Sequence, residues 1–454
     1  MRARLDRARE MLRRHFADEP RVHALLLLQL AGRFAELDES EREAEVMAEF
    51  GRLSQKTGDA SLLANVECIR AYEQIQDHDV KAGAVSVARG LRFLVRAEAE
   101  GDWAGAGFEC YRADAMLAAE RGETARAVER MQAWLHKLEA SNRTMTRSYL
   151  ASLGSLAYSY DLAGDELQAL AVTRRKMQLD AALGSDQTLS ARIDVDSAAL
   201  LLLDLGRLQD AVAQDVKFAA DLKSTIGKGT IPATFRLSIA GRALLAGFYE
   251  RAAPVMRREL PQLELSGNEP FVRGITLDLA EGALLAGLTS VAQRELVSFE
   301  KRLSRGPPSK RQAVRAARVR LLLALARNAE RETLAPLQKS LDEAVTAAGL
   351  QQRGADRALS MAAQGAAALQ GNDLTAAHRI ASQLLADADA HRVDGGTSAW
   401  AGIAQLLLAE TELRANALPQ ARHALQRARH EFAETLDRGH PWYRRLERLE
   451  SRVG

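Results

Sequence analysis

A small residue seven positions before a turn, and another five positions after it, recur along almost the whole chain. In the clearest copy, Ala157 precedes Gly164 and Ala169 follows it. Two helices that cross closely and reverse direction between them need small side chains at the crossing, because anything larger than a methyl group would push them apart. The spacing therefore predicts an antiparallel helix pair at each copy.

The turns recur at near-equal intervals of 40 to 45 residues, which is the signature of a repeat architecture. They centre on Asp38, His78, Gly122, Gly164, Gly206, Gly247, Gly287, Asn328, Gly371 and Asn416. The chain of 454 residues is thus predicted to form ten helix pairs between two terminal helices. We expect an N-terminal capping helix within 1–20, seven pairs over 21–305, three pairs over 306–436 and a C-terminal capping helix within 437–454.

The composition agrees with an all-α chain and limits the binding partners and the cellular compartment that we expect. Hydrophobic residues make up 47%, aromatic residues only 5%, and the formal net charge is +2, which gives no global reason to expect nucleic acid or a membrane. The apolar runs are far shorter than the roughly 18 residues that a spanning helix needs. Cys68 and Cys110 lie on separate predicted helices of a chain too large to need a disulfide, so we expect a reducing, cytoplasmic compartment.

The small-residue pattern resembles the tetratricopeptide repeat over essentially the whole chain. The period near 42 is longer than the standard of about 34, and with segments 183–189 and 436–441 it is similar to repeats of kinesin-light-chain type. Long arrays of this kind also resemble regions attached to bacterial serine/threonine kinases and signalling regulators. The resemblance implies a right-handed superhelical solenoid whose first helices line a concave groove.

No motif in the chain indicates catalysis or a bound cofactor. The nine histidines lack metal-ligand spacings such as H-E-x-x-H. The fragment 224–230 lacks the first glycine of a phosphate loop and is followed by Pro232, which favours an ordinary inter-repeat loop. We therefore expect a protein that is not an enzyme and that holds no metal or cofactor.

Groove residues follow from the register, at thirteen, ten and six positions before each turn. This mapping, which resembles how proteins of the family hold extended peptides, gives Asn65, Cys68, Tyr72, Glu109, Arg112, Met116, Tyr158, Asp196 and Glu281. Polar groups beside rings and a methionine suit a peptide-binding surface. The alternative is that half of these side chains only contact neighbouring repeats.

A basic stripe in the eighth pair is a second candidate surface. No acidic residue lies between Glu300 and Glu330, and Arg311, Arg315 and Arg318 share one helix face. Such a stripe would attract an acidic or phosphorylated peptide, whereas nucleic acid is disfavoured because no aromatic residue there could stack on bases. The alternative is a solvated run that acidic residues of neighbouring pairs partly balance.

The predicted function is that of a non-catalytic protein–protein interaction scaffold that binds a protein or peptide segment in its groove. Stacked repeats offer a large, stiff surface and no preorganised cavity for chemistry. The alternative is a regulatory or sensory arm of a bacterial signalling system, working with a serine/threonine kinase or a transcriptional regulator.

Overall fold

The computed structural model describes residues 2–35, 39–186, 188–226, 233–265, 267–349 and 354–453, and within these ranges the regular structure is helical throughout. The predicted turn at Asp38 and most of the fragment 224–230 lie outside the described residues.

The described residues form twenty-two α-helices, with short 3₁₀ turns at Leu303–Arg305 and Val393–Gly395. They are α1 (Arg2–His15), α2 (Pro20–Ala35), α3 (Ser40–Thr57), α4 (Ala60–Gln76), α5 (Val80–Ala99), α6 (Ala104–Glu120), α7 (Thr124–Ala140), α8 (Arg147–Ala163), α9 (Glu166–Ala182), α10 (Leu189–Asp204), α11 (Leu208–Ile226), α12 (Ala233–Leu245), α13 (Tyr249–Leu265), α14 (Glu269–Leu285), α15 (Thr289–Arg302), α16 (Lys310–Ala326), α17 (Arg331–Ala348), α18 (Gly354–Gln370), α19 (Leu374–Ala390), α20 (Ala399–Arg414), α21 (Leu418–Thr435) and α22 (Pro441–Val453).

The helices α2 to α21 form ten consecutive pairs, as the spacing predicts, with α1 before them and α22 after them. Nine of the ten predicted turns are described, and in eight of them the predicted residue adopts the left-handed backbone conformation, with φ of 79° at Gly164, 65° at His78 and 60° at Asn416. In the ninth pair this residue is Asn372 rather than Gly371, because asparagine also tolerates a positive φ. The chain is an all-α repeat solenoid.

The small residues allow close contact between helices. Ala169 is fully buried, and a Cβ added to Gly107 of α6 would lie 2.1 Å from the Trp134 ring of α7. In the last pair, a Cβ on Gly402 of α20 would lie 2.3 Å from the Phe432 ring of α21. Real atoms do not approach so closely, so a side chain at either glycine would force the paired helices apart.

The chain divides into two compact units, an N-terminal unit of Met1–Ala191 and a C-terminal unit of Arg192–Gly454. In the N-terminal unit the core is centred on Trp134, whose ring lies 5.2 Å from Tyr111 and 5.5 Å, edge-on, from Trp103. The Trp134 indole N–H donates a hydrogen bond of 2.8 Å to the Ser152 hydroxyl, which satisfies the one polar group that the ring buries.

Cys68 of α4 and Cys110 of α6 form a disulfide, so the expectation of unpaired cysteines is wrong. The two residues are 42 positions apart, which is one repeat period. Neighbouring first helices therefore bring them side by side. The cytoplasmic location, which depended partly on unpaired cysteines, stays a prediction. Within the described residues, none of the helices combines the length and the apolar composition that a membrane span requires.

The C-terminal unit joins its own first pairs to its last. The Trp400 indole donates to the Asp204 carbonyl (2.8 Å), and the Ala399 amide donates to the Gly206 carbonyl (2.9 Å). Nearby, the Ala355 amide donates to the Asp204 carboxylate (3.0 Å). These bonds connect residues about 150 to 196 positions apart, so this unit closes on itself.

Candidate functional site

Three first helices of the N-terminal unit carry a row of large apolar side chains at one register position, six residues before the turn. The row is Tyr72 on α4, Met116 on α6 and Tyr158 on α8. Neighbouring first helices pack directly against one another, α4 on α6 and α6 on α8. Tyr158 is 50% exposed, whereas Tyr72 and Met116 are half-buried. The unit therefore presents aromatic and thioether groups on three successive repeats.

Arg112 is held beside this row by an ion pair and by two rings. Its guanidinium lies 3.9 Å from the centre of the Tyr72 ring and 5.2 Å from that of Phe108, and it donates to the Glu109 carboxylate. Cation–π contact and the ion pair together fix a side chain that would otherwise be mobile. The predicted residues Tyr72, Glu109, Arg112 and Met116 are thus brought into one cluster.

Asn65 lies beneath this face. It is 1% exposed, and its amide N–H₂ donates to the Ser61 carbonyl at 3.2 Å, one turn earlier on α4. Cys68, at the next groove position, lies in the disulfide. Neither side chain reaches the surface of the N-terminal unit, so a contact with a partner would require α4 to move.

The arginines of the basic stripe are paired with carboxylates of neighbouring repeats. Arg318 is 1% exposed and donates to Glu281 of α14 and Asp356 of α18. Arg315 donates to Asp278 and Glu281. The stripe is therefore largely neutralised within the C-terminal unit by acidic residues of neighbouring pairs. Arg315 and Arg318 are mostly buried, however, and not solvated as the alternative interpretation expected.

The exposed member of the stripe is Arg311, whose side chain is 58% exposed and pairs with Asp356 at 3.1 Å. Two further groove candidates of this unit are internal ion-pair partners. Glu281 is 5% exposed and belongs to the α16 network, the ion pairs that Arg311, Arg315 and Arg318 form with Asp278, Glu281 and Asp356. Asp196 accepts a hydrogen bond from Arg242, which also pairs with Asp215. These carboxylates lie 34 to 46 positions from their arginines, close to the repeat period, because the pairs join neighbouring repeats.

Burial and charge act in opposite directions on this network. Burial favours the neutral acid at Asp356, but Arg318, Arg311 and Arg315 outweigh it and lower the pKa of the carboxyl. At Asp278 the effect of burial is larger than that of the neighbouring Arg315 charge, so the pKa of this carboxyl is raised. Burial also opposes the charge of Arg315, yet Asp278 and Glu281 raise its pKa well above the ordinary value. The network therefore holds Arg315 and Asp356 in their charged forms.

A cavity of about 280 Å³ in the C-terminal unit was not predicted. It lies between the first helices α14, α16, α18 and α20 on one side and α22 on another. Its apolar lining residues are Leu245, Leu284, Leu285, Leu322, Ala326, Leu359, Ala362, Ala363, Ala366, Ile403, Leu406, Leu407, Pro441 and Trp442. Its charged lining residues are Glu281, Arg318, Arg445 and Arg448. Because its lining comes from helices of successive repeats and from α22, no local sequence pattern indicates it.

In the described part of the chain, no cluster of three or more His, Cys, Asp or Glu side chains could hold a metal ion.

No family model matches the chain, and no curated protein does. Among solved structures, the chain is similar to one titled "Structure of Naa15/Naa10 bound to HypK-THB", with 12% identity and a TM-score of 0.20. The match covers 95% of this chain and 65% of that one, so the chain spans slightly less than two thirds of its length. A likeness at this score carries no argument. The tetratricopeptide-like organisation rests on the helix pairs of this chain itself.

Proposed function

We propose that the protein is a non-catalytic interaction scaffold, and that the row Tyr72, Met116 and Tyr158 binds a segment of a protein partner. The observation that carries the proposal is the repetition of large apolar side chains at one register position on three packed first helices. Aromatic residues, methionine and arginine are the side chains enriched in protein interfaces. A row with one period per helix suits an extended or helical segment that contacts each repeat in turn.

The fixed position of Arg112 supports the same surface. Because Tyr72, Phe108 and Glu109 already hold the guanidinium, little side-chain entropy remains to be lost when a partner binds. The preference for an acidic or phosphorylated partner depended on the arginines of α16. Carboxylates of this chain already pair with those arginines, so that preference has less support than the apolar row. We therefore propose a partner segment that is mainly apolar, and not nucleic acid.

The test is selection of binding peptides from a random displayed library on the purified full chain, followed by affinity measurement with labelled peptides in solution. We expect Tyr158→Ala to weaken binding by about tenfold or more, as removal of an aromatic contact that contributes strongly to binding does. The matched control is Val95→Ala, which truncates a side chain of α5 that is 66% exposed but lies on a second helix. An equal loss of affinity in both variants, or an affinity that Tyr158→Ala does not change, would refute the row as the binding site.

A regulatory arm for a bacterial kinase or transcriptional regulator would use the same face. That association, the kinesin-light-chain-type subclass and the cytoplasmic location stay predictions.

A further inference from the structure

The cavity of the C-terminal unit is lined mainly by aliphatic side chains. Leu284, Leu322 and Leu359 are only partly buried although they lie on first helices within the unit, and all three line the cavity. Trp442 of α22 also lines it, and its ring meets that of Trp400 edge-on at 6.1 Å. Water in such a space finds few hydrogen-bond partners, so apolar atoms are better occupants than water.

The charges around the cavity are paired, with one exception. Arg318 is neutralised by Glu281 and Asp356, and Arg445 forms a two-pronged ion pair with Glu410 at 2.5 Å. Arg448 follows Arg445 by three residues on α22 and also lines the cavity. Within the described part of the chain, its guanidinium has no ion pair or hydrogen bond. The cavity thus combines an apolar interior with one unpaired positive charge.

We propose that this cavity binds a small amphipathic anion, namely a monocarboxylate with a short hydrocarbon chain. The chain lies among the leucines and alanines of α14, α16 and α18, and the carboxylate pairs with Arg448. We expect the ligand to carry a single negative charge because the cavity has a single unpaired arginine. We expect it to be small because the cavity volume is at the lower end of the range for ligand sites. The proposal is independent of the peptide surface, which lies in the other unit.

The first experiment is calorimetric titration of the full chain with octanoate and with octanamide, which keeps the hydrocarbon chain but carries no charge. We expect octanoate to bind and octanamide to bind about tenfold more weakly, as the loss of one charge-assisted hydrogen bond implies. Absence of octanoate binding, or equal affinity for the two compounds, would overturn the proposal.

Two variants then locate the site. Arg448→Gln removes the unpaired charge, and we expect it to weaken octanoate binding by about tenfold while leaving octanamide binding unchanged. The matched control is Arg452→Gln, which removes an exposed arginine of the same helix that does not line the cavity. The same effect from both variants would mean that the general charge of α22, rather than a site, attracts the anion.

The second variant, Ala366→Phe, places a ring in the cavity, and we expect it to abolish binding of both compounds with an unchanged circular dichroism spectrum. Trp442 provides a further readout, since its emission should change on octanoate addition to the native protein and not to Trp442→Phe. Binding that persists in Ala366→Phe, or an emission change that persists without Trp442, would place the ligand elsewhere and overturn the proposal.

Discussion

At the scale of single residues, the α16 network shows how a buried arginine is tolerated. Arg318 ranks among the largest fully buried side chains, and Glu281 accepts from both Arg318 and Arg315. Removing one member of such a network costs more than the ion pair contributes, because the partner is left charged and buried. An exposed ion pair has no such penalty, since water replaces the lost partner.

We therefore expect Glu281→Ala to lower the free energy of unfolding by about 3–5 kcal/mol. Glu300→Ala is the matched control, because Glu300 also pairs with an arginine of α16, Arg320, but both side chains are well exposed. Its loss should be below about 1 kcal/mol. Urea unfolding followed by circular dichroism, with hydrogen exchange at α16 as the local measure, tests the difference. Similar losses would contradict the buried network.

The buried His440 makes the stability of the C-terminal unit depend on pH. Its Nε2–H donates to the Leu245 carbonyl and its Nδ1 accepts from the Trp442 amide, each at 3.2 Å. The bond to Nδ1 requires the neutral ring, because a protonated ring has no acceptor nitrogen. Burial lowers the pKa of His440 from 6.5 to about 4. Between these values the unfolded chain binds a proton that the folded chain does not.

The contribution of His440 is thus complete above pH 6.5 and is lost as the pH falls toward 4, by about 3 kcal/mol. Urea unfolding at pH 7 and pH 4.5 should show this loss, and His440→Gln should reduce it. The control is the same substitution at the exposed His423 of α21, and an equal reduction in His423→Gln would show that the effect is not specific to His440. A native protein whose stability does not fall over this range would refute the assignment.

At the scale of helices, close crossing depends on individual glycines. Gly107 faces the Trp134 ring. Gly105 lies two residues earlier on α6, and a Cβ added there would have its nearest neighbouring atom 3.8 Å away. The two positions share a helix and differ in what covers them. They therefore separate the packing requirement from the helix propensity of glycine.

Gly107→Ala should destabilise the protein by about 1–3 kcal/mol, because the added methyl group overpacks the crossing of α6 and α7. Gly105→Ala should be neutral or stabilising by up to about 1 kcal/mol, since alanine favours the helix and its methyl group would make only an ordinary van der Waals contact. Thermal and urea unfolding of the two variants provide the test. If Gly107→Ala is as stable as Gly105→Ala, the tight crossing is not required.

The helix pairs could be predicted because their signal is local. A small residue, a turn and a second small residue lie within thirteen positions, as at Ala157, Gly164 and Ala169. The neutralised arginines, the disulfide of Cys68 with Cys110 and the cavity could not be predicted from that signal. They depend on the register between helices one or more periods apart, which the twist from repeat to repeat sets and no short pattern encodes.

At the scale of the whole molecule, the chain combines a unit that presents a repeated surface with a unit whose ends are joined. In an open array each repeat contacts only its neighbours, and its stability is a sum of local terms. In the C-terminal unit the bonds from Trp400 and Ala399 to α10 and its turn add a term between distant repeats. Local unfolding at one end of this unit should therefore also expose the backbone at its other end.

Trp400→Phe tests this coupling, because it removes the indole N–H and leaves the Asp204 carbonyl without that donor. We expect a loss of about 1–3 kcal/mol and faster hydrogen exchange in α10, almost 200 positions away in sequence. Trp134→Phe is the control, since it removes the equivalent indole bond to Ser152 in the N-terminal unit. Its effect on exchange should be confined to that unit. Unchanged exchange at α10 in Trp400→Phe would contradict the coupling.

The closure of the C-terminal unit also bears on how its sequence can change over evolutionary time. Open repeat arrays lengthen and shorten by duplication or loss of a unit, because a new interface resembles the old ones. Here an extra pair between α12 and α20 would carry the Ser398 hydroxyl away from the Leu205 carbonyl and the Trp400 indole away from the Asp204 carbonyl. The geometry of the closure consequently constrains the number of repeats in this unit.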